Sequence, residues 1–358
     1  MKKNGFLVCL AGAVMVLASC GGNIDKNGWY TDFDAAKKAA QAKNKNILLF
    51  VNSDNDVPGS SVGVKALTES GEFTLDLEAE YACVHFAFVD MMKVMQGADM
   101  NATNAEQKAA EKARETMMKQ FAIADLYTVQ ETPAIVLISK DGYYITSVTC
   151  DYDSSSPAGY AALVRSEEPV VTEFVKKVVK TEKGNDKARI AAIDELYESA
   201  SENQRLAMVD LSRKLVKLDK KNESGLVTKH LFSIANAEAF NLITKHDFEG
   251  AVKMYVKYAA DKRLNPVDSQ ALYFMAASVC AKSGTSDIDR IIGFLNLAIK
   301  AAPESESVSN IQSIIDSLNE LQEQEEAEKL AAKASAETES EEAEVSESAE
   351  PAAEGGEQ

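Results

Sequence analysis

The stretch Asn46–Gly59 constrains this chain most. Its first half, Ile47–Val51, is an unbroken apolar run between Asn46 and Asn52, the pattern of a strand buried on both faces. Its second half, Ser53-Asp54-Asn55-Asp56-Val57-Pro58-Gly59, is a polar turn placed to open onto a helix. In a sheet flanked by helices, the loop leaving the carboxyl end of a central strand is the usual seat of chemistry. Here that loop holds no Cys, no His and no glycine-rich phosphate cradle. These residues specify a scaffold and leave the reaction open.

The neighbouring segments supply the other layers. Asp34–Lys43 is rich in Ala and Lys, which predicts a helix, with Phe33, Ala36, Ala39 and Ala40 near one face. Val62–Leu77 predicts a helix interrupted at Gly71, and Tyr81–Asp90 a second buried strand. Met91–Arg114 reads as a loop passing into a helix that continues through Glu115–Phe121. Ala134–Ile138 is a third apolar strand, followed by Lys140-Asp141-Gly142, a hairpin turn into a fourth. Asp151–Pro169 is Ser/Pro-rich and reads as a loop, and Val170–Val179 closes the domain as an amphipathic helix.

This order, opened by Trp29, resembles the thioredoxin fold, in its cell-envelope branch, over about Gly28 to Lys180. The residues carrying the resemblance are Trp29, Ala35–Lys43, Lys45–Val51 and Asp54, with Thr132-Pro133 before the third strand. The resemblance implies a cis-proline docking site at Thr132 and Pro133. It also implies Trp-Cys-x-x-Cys directly after the first strand, and here the chain departs. Aligned on Ser53-Asp54, the two Cys positions read Asp56 and Gly59. Neither a carboxylate nor a hydrogen can perform thiol–disulfide exchange. The expectation is a degenerate redox site with no catalytic residue.

Other chemistries test poorly. With Asp54 as position one of a calcium loop, Lys65 falls where a bidentate Glu is required. Cys83 and His85 share one strand face, as a nucleophile and base would, or two metal ligands; no third ligand lies nearby, and buried strand residues explain both. Met91, Met92, Met95, Met100, Met117 and Met118 could select Cu(I), or fill core gaps. No metal site is assigned and no cofactor is expected. Five cysteines are present. Cys9 falls in the leader and Cys20 is modified, as argued next. Cys83, Cys150 and Cys280 then form no framework, although a single Cys83–Cys150 bridge stays open.

The N-terminus carries an address. Lys2 and Lys3 precede an apolar segment, Phe6–Leu17, too short to span a bilayer. Leu17-Ala18-Ser19-Cys20-Gly21 resembles the lipobox of bacterial lipoproteins. That resemblance implies removal of residues 1–19 and acylation of Cys20, leaving 20–28 as a tether. The expected location is the cell envelope, with the protein held to a bacterial membrane on the periplasmic side or at the outer membrane.

Lys187 onward reads as an all-α, repeat-like domain over 186–322, with Thr181–Asn185 as linker. A pattern that recurs after about forty residues, from Phe248 to Ile291 or so, resembles tetratricopeptide-type helix pairs. Such pairs imply a surface for a protein partner; a plain helical bundle is the competing reading. Residues 323–358 contain thirteen Glu against Lys329 and Lys333. They carry −11 of the −18 net charge. The tail reads as helical to about Ala336 and disordered beyond. With no basic run, nucleic acid is not an expected partner.

The resulting expectation is an α/β thioredoxin-like domain over 29–180, then the helical domain, then a disordered acidic tail. The function expected is a lipid-anchored, redox-inactive scaffold with a helical protein-interaction domain. Two alternatives stand beside it: a thiol oxidoreductase or chaperone-like protein using lone Cys83 or Cys150, and copper handling by the Met cluster.

Overall fold

The computed structural model describes residues 23–53, 61–88, 94, 102–149, 156–284 and 287–347. The described chain forms two compact units. The first runs to Glu182 and takes in Glu198–Met208; the second holds Lys183–Tyr197 and the chain from Val209 onward. Among the described residues no helix is long and apolar enough to cross a membrane.

The first unit is built on a four-stranded mixed sheet in the order β2-β1-β3-β4. The strands are β1 (Asn46–Ser53), β2 (Tyr81–Phe88), β3 (Ala134–Ile138) and β4 (Tyr144–Val148). β1 runs parallel to β2 and antiparallel to β3, and β3 and β4 form an antiparallel hairpin. The apolar run of β1 is buried from Ile47 to Asn52, as a central strand covered on both faces must be.

Each face of the sheet is sealed by its own helices. Phe33, Ala36 and Ala40 of α1 (Phe33–Lys43) cover Ile47, Leu49 and Val51, together with Ala124 of α4 (Asn104–Leu126) and Tyr127. On the other face Leu48, Phe50, Cys83, Ile135 and Leu137 meet Leu67, Phe73 and Leu77. The latter belong to α2 (Ser61–Thr68) and α3 (Glu72–Leu77), which break at Gly71. Local caps set the helix limits. Asp32 accepts from the Ala35 amide and caps α1, and Asn44 ends it in the left-handed region at φ 53°. Thr103 and Glu106 form a reciprocal capping box on α4. In the β3–β4 turn Gly142 has φ +92°, a backbone conformation that calls for Gly.

Two expectations need correction. Asp151–Pro169 is not all loop, because α5 (Pro157–Ser166) lies within it, followed by α6 (Glu168–Lys180). Ser156 Oγ accepts from the Gly159 amide and Pro157 occupies the first turn, so the Ser-Pro pair opens a helix. Tyr160, Ala161 and Val164 then bury against the sheet. The second correction concerns the tail, where helix α14 (Val308–Glu347) continues past Ala336. Ala and Glu are strong helix formers and need no core to hold that conformation locally.

The second unit is a run of antiparallel helix pairs: α9 (Val209–Leu218) with α10 (Val227–Ile243), α11 (Phe248–Ala259) with α12 (Pro266–Lys282), and α13 (Ile288–Ala301) with α14. The leading helices start at Val209, Phe248 and Ile288, steps of 39 and 40 residues. Asp247 and Asp287 cap the second and third leading helices alike. Ala251, Tyr255, Ala276, Leu295, Ala298 and Ile311 belong to one continuous core. The preceding helix α7 (Asp186–Glu198) gives Ile190, Ile193 and Leu196 to the interior, while α8 (Glu202–Ala207) belongs to the first unit.

Candidate functional site

The turn that the sequence singles out leaves β1 at Ser53, and Asp54–Ser60, with Asp56 and Gly59, lie outside the described residues. The frame around it is well defined. Val51 of β1 pairs with Ala134 of β3, which sets Thr132 and Pro133 beside the end of β1, where the turn begins. The Thr132–Pro133 peptide is cis, and both residues are half-buried. On the other side Phe50 pairs with His85 of β2.

His85 is the polar centre of this strand end. Its ring stacks on Phe50 at 5.3 Å and 19° and lies 5.5 Å from Trp29. Trp29 in turn stacks on Phe73 at 5.6 Å. His85 Nε2 lies 2.6 Å from Asn52 Oδ1. With that amide oxygen as acceptor, the proton sits on Nε2 and the ring is neutral. Burial pushes the His85 pKa down to about 4, against a smaller opposing pull from Asp25. Asn52 is itself buried, 8% exposed, so the pair satisfies two polar groups that would otherwise be costly there.

A knot in the N-terminal segment holds Trp29 in place. The Asp25 carboxylate accepts from the amides of Asn27 and Trp29, and Trp29 Nε1 donates to the Leu67 carbonyl. The Asn27 amide group donates to Thr68 O and Thr74 Oγ1 donates to Asn27 O. The Tyr30 amide donates to Cys83 O, and its carbonyl accepts from the His85 amide. This short segment therefore extends the sheet beyond β2.

Cys83 cannot serve as a nucleophile in this setting. Its side chain is 3% exposed. Burial pushes its thiol up to about 12, outweighing the downward pull of Lys45, whereas a reactive thiolate needs a lowered pKa and access. Cys83 and Cys280 are both free and buried. Cys20, Cys150, Met91, Met92, Met95 and Met100 lie outside the described residues. Met117 is buried within the first unit and Met118 is exposed. Among the described residues no group of three His, Cys, Asp or Glu could hold a metal.

The second unit holds a polar network that sequence reasoning did not find. His230 of α10 is fully buried, with Nδ1 2.9 Å from Ser212 Oγ and Nε2 3.2 Å from Asp194 Oδ1. Lys229 Nζ lies 2.5 Å from the same carboxylate oxygen, and Tyr197 packs 4.6 Å from the imidazole. The residue types are those of a nucleophilic triad, yet Ser212 is 0% exposed, so no substrate reaches it. The network is a tie among α7, α9 and α10. Its members are thirty-six positions apart at most, and no local spacing signals it.

The comparisons with known proteins are sparse. A family model described as an uncharacterised protein C-terminal domain matches residues 226–324. No curated protein matches the chain. Of solved structures, one described as DsbH oxidoreductase matches at 15% identity and a TM-score of 0.27, over 40% of this chain and 83% of that chain. A likeness at that score carries no argument about this chain.

Proposed function

We propose that this is a lipid-anchored cell-envelope protein whose first unit is a redox-inactive thioredoxin-like scaffold and whose second unit holds a protein segment. The β2-β1-β3-β4 order, the parallel β1–β2 pair and the β3–β4 hairpin support the thioredoxin-like reading. The observation that carries the loss of redox function is the state of Cys83, buried and with its thiol pushed up to about 12. Taken with Asp56 and Gly59 at the positions matching Cys-x-x-Cys, it leaves no attacking and resolving thiol pair among the described residues of the frame.

Thirty-nine and forty residue steps between leading helices support a tetratricopeptide-like array, the kind of stack that presents one continuous surface to an extended partner. Within the first unit, the half-buried Thr132–Pro133 segment beside the end of β1 is a separate proposed docking site for an extended chain. Anchoring at Cys20 rests on the lipobox-like residues and on the greater hold of several acyl chains over one.

Insulin reduction tests the redox reading. Wild type is expected to match a thiol-free control, and Asp56→Cys with Gly59→Cys to restore exchange. Robust wild-type turnover that disappears when Cys83, Cys150 and Cys280 are replaced would overturn it in favour of a lone-Cys oxidoreductase.

A further inference from the structure

Residues Glu198–Met208 leave the second unit and return to it. The helices on either side, α7 and α9, belong to that unit, while α8 belongs to the first. The two roots of this excursion are fastened to one imidazole. Asp194, four positions before Glu198, meets His230 Nε2 at 3.2 Å, and Ser212, four positions after Met208, meets Nδ1 at 2.9 Å. Lys229 Nζ, on the same Asp194 oxygen, reinforces the first root.

Within the first unit the excursion grips the end of α4. Asn203 Nδ2 donates to the Asp125 carbonyl and Gln204 Nε2 to Thr128 Oγ1, each at 3.4 Å. Gln204 is 6% exposed, so its contact is sealed from water, where a hydrogen bond weighs most. A reciprocal capping box between Ser201 and Gln204 and the Glu198–Arg205 ion pair at 2.9 Å hold the excursion in shape.

Thr128 is the residue that needs holding. Its φ of +56° is left-handed, a conformation that a β-branched side chain adopts only under constraint. Such strain persists where the surrounding structure over-determines it. Gln204 supplies part of that constraint, and Thr128 stands four positions before Thr132. The strained residue therefore heads the short stretch that runs into the Thr132–Pro133 segment and β3.

We infer that Glu198–Met208 is a strap through which the second unit sets the order of the Thr128–Pro133 stretch, with His230 as its clasp. The inference rests on the docking site proposed at Thr132–Pro133 and adds a control to it. A partner that shifts α7 or α9 loosens or tightens the strap, and with it the docking segment. Coupling of this kind is reciprocal, so releasing the strap at Thr128 also reaches α7.

Amide hydrogen exchange on the full chain reads the coupling without a ligand. The reporters are the Thr128 and Val129 amides, which donate to the Asp125 and Ala124 carbonyls. His230→Gln should speed their exchange on the order of tenfold, the scale of leaving buried partners unpaired. Gln204→Ala should speed them by a similar factor and, by reciprocity, also speed the amides of Ile190–Tyr197. Combining Gln204→Ala with His230→Gln should add little at Thr128 and Val129, because either change already releases the strap. Ser212→Ala replaces His230→Gln in every arm should the latter fail to fold by circular dichroism. Acceleration confined to the second unit overturns the strap, as does full additivity in the combined variant. Because no ligand is used, failure of docking at Thr132–Pro133 leaves the coupling readable, and failure of the coupling leaves the docking site standing.

Discussion

His85 should make the first unit acid-sensitive, and the size of the effect follows from its surroundings. Unfolding frees the ring from Phe50, Trp29 and Asn52 and returns its pKa from about 4 to the ordinary 6.5. Between those values the unfolded chain binds a proton that the folded chain does not. Stability then rises with pH across that window. The contribution is complete above pH 6.5 and is lost as pH falls toward 4. Each tenfold change in proton affinity is worth about 1.4 kcal/mol, which caps the effect near ~3 kcal/mol, and the ring's residual contact with solvent brings it to about 2 kcal/mol. Trp29 is the single tryptophan of the chain and lies in this cluster, so its fluorescence reports the unfolding of this unit. Urea titrations followed at Trp29 from pH 7 to pH 4 should show a steeper fall for wild type than for His85→Phe. That substitution keeps an aromatic ring over Phe50 and removes the titrating group. Parallel pH dependences for the two proteins would refute the argument that burial holds His85 neutral.

Gly63 of α2 lies under the Tyr160 hydroxyl of α5, and a Cβ there would meet the ring 3.0 Å from Cζ. Gly63→Ala should therefore cost about 1–3 kcal/mol by overpacking, with Tyr160→Leu in the same chain recovering part of the loss in thermal melts. His230→Ala should destabilise the second unit by roughly 2–4 kcal/mol, because it leaves Ser212 and Asp194 without their shared partner; a helical circular-dichroism transition unchanged in urea midpoint would count against the tie. Deleting Lys333–Gln358 should move the thermal midpoint by no more than about a degree, since α14 buries Ile311 and Ile315 near its start and stands exposed from Glu323 to Leu330.

The strand at Ile47–Val51 was legible because burial on both faces leaves one signature, an uninterrupted apolar run. The turn at Asp141-Gly142 was legible because few residues tolerate φ near +90°. The helix at Pro157–Ser166 was not, since Ser and Pro serve loops and helix starts equally, and the apolar residues Tyr160, Ala161 and Val164 become a stripe only against the sheet. In the tail the helix runs from the expected stretch on to Glu347, past Ala336, because Ala and Glu favour that conformation. Cys83 and His85 illustrate the limit best. Their spacing puts them on one strand face, but a Cys–His pair in sequence does not say whether the thiol is open or sealed.

The residues by themselves determined the layered order of strands and helices, the break at Gly71, the recurrence near forty residues and the acidity of the C-terminal segment, because each depends on neighbours within a few positions or on composition. The tertiary structure decided what no local pattern contains. The β1–β2 register sets His85 on Phe50 and beside Asn52. The N-terminal knot brings Trp29 over the same ring. Folding also returns Glu198–Met208 to the first unit and joins Asp194, Ser212 and His230 from three helices. These are contacts between segments far apart in the chain, and their strength comes from the water excluded when the segments meet.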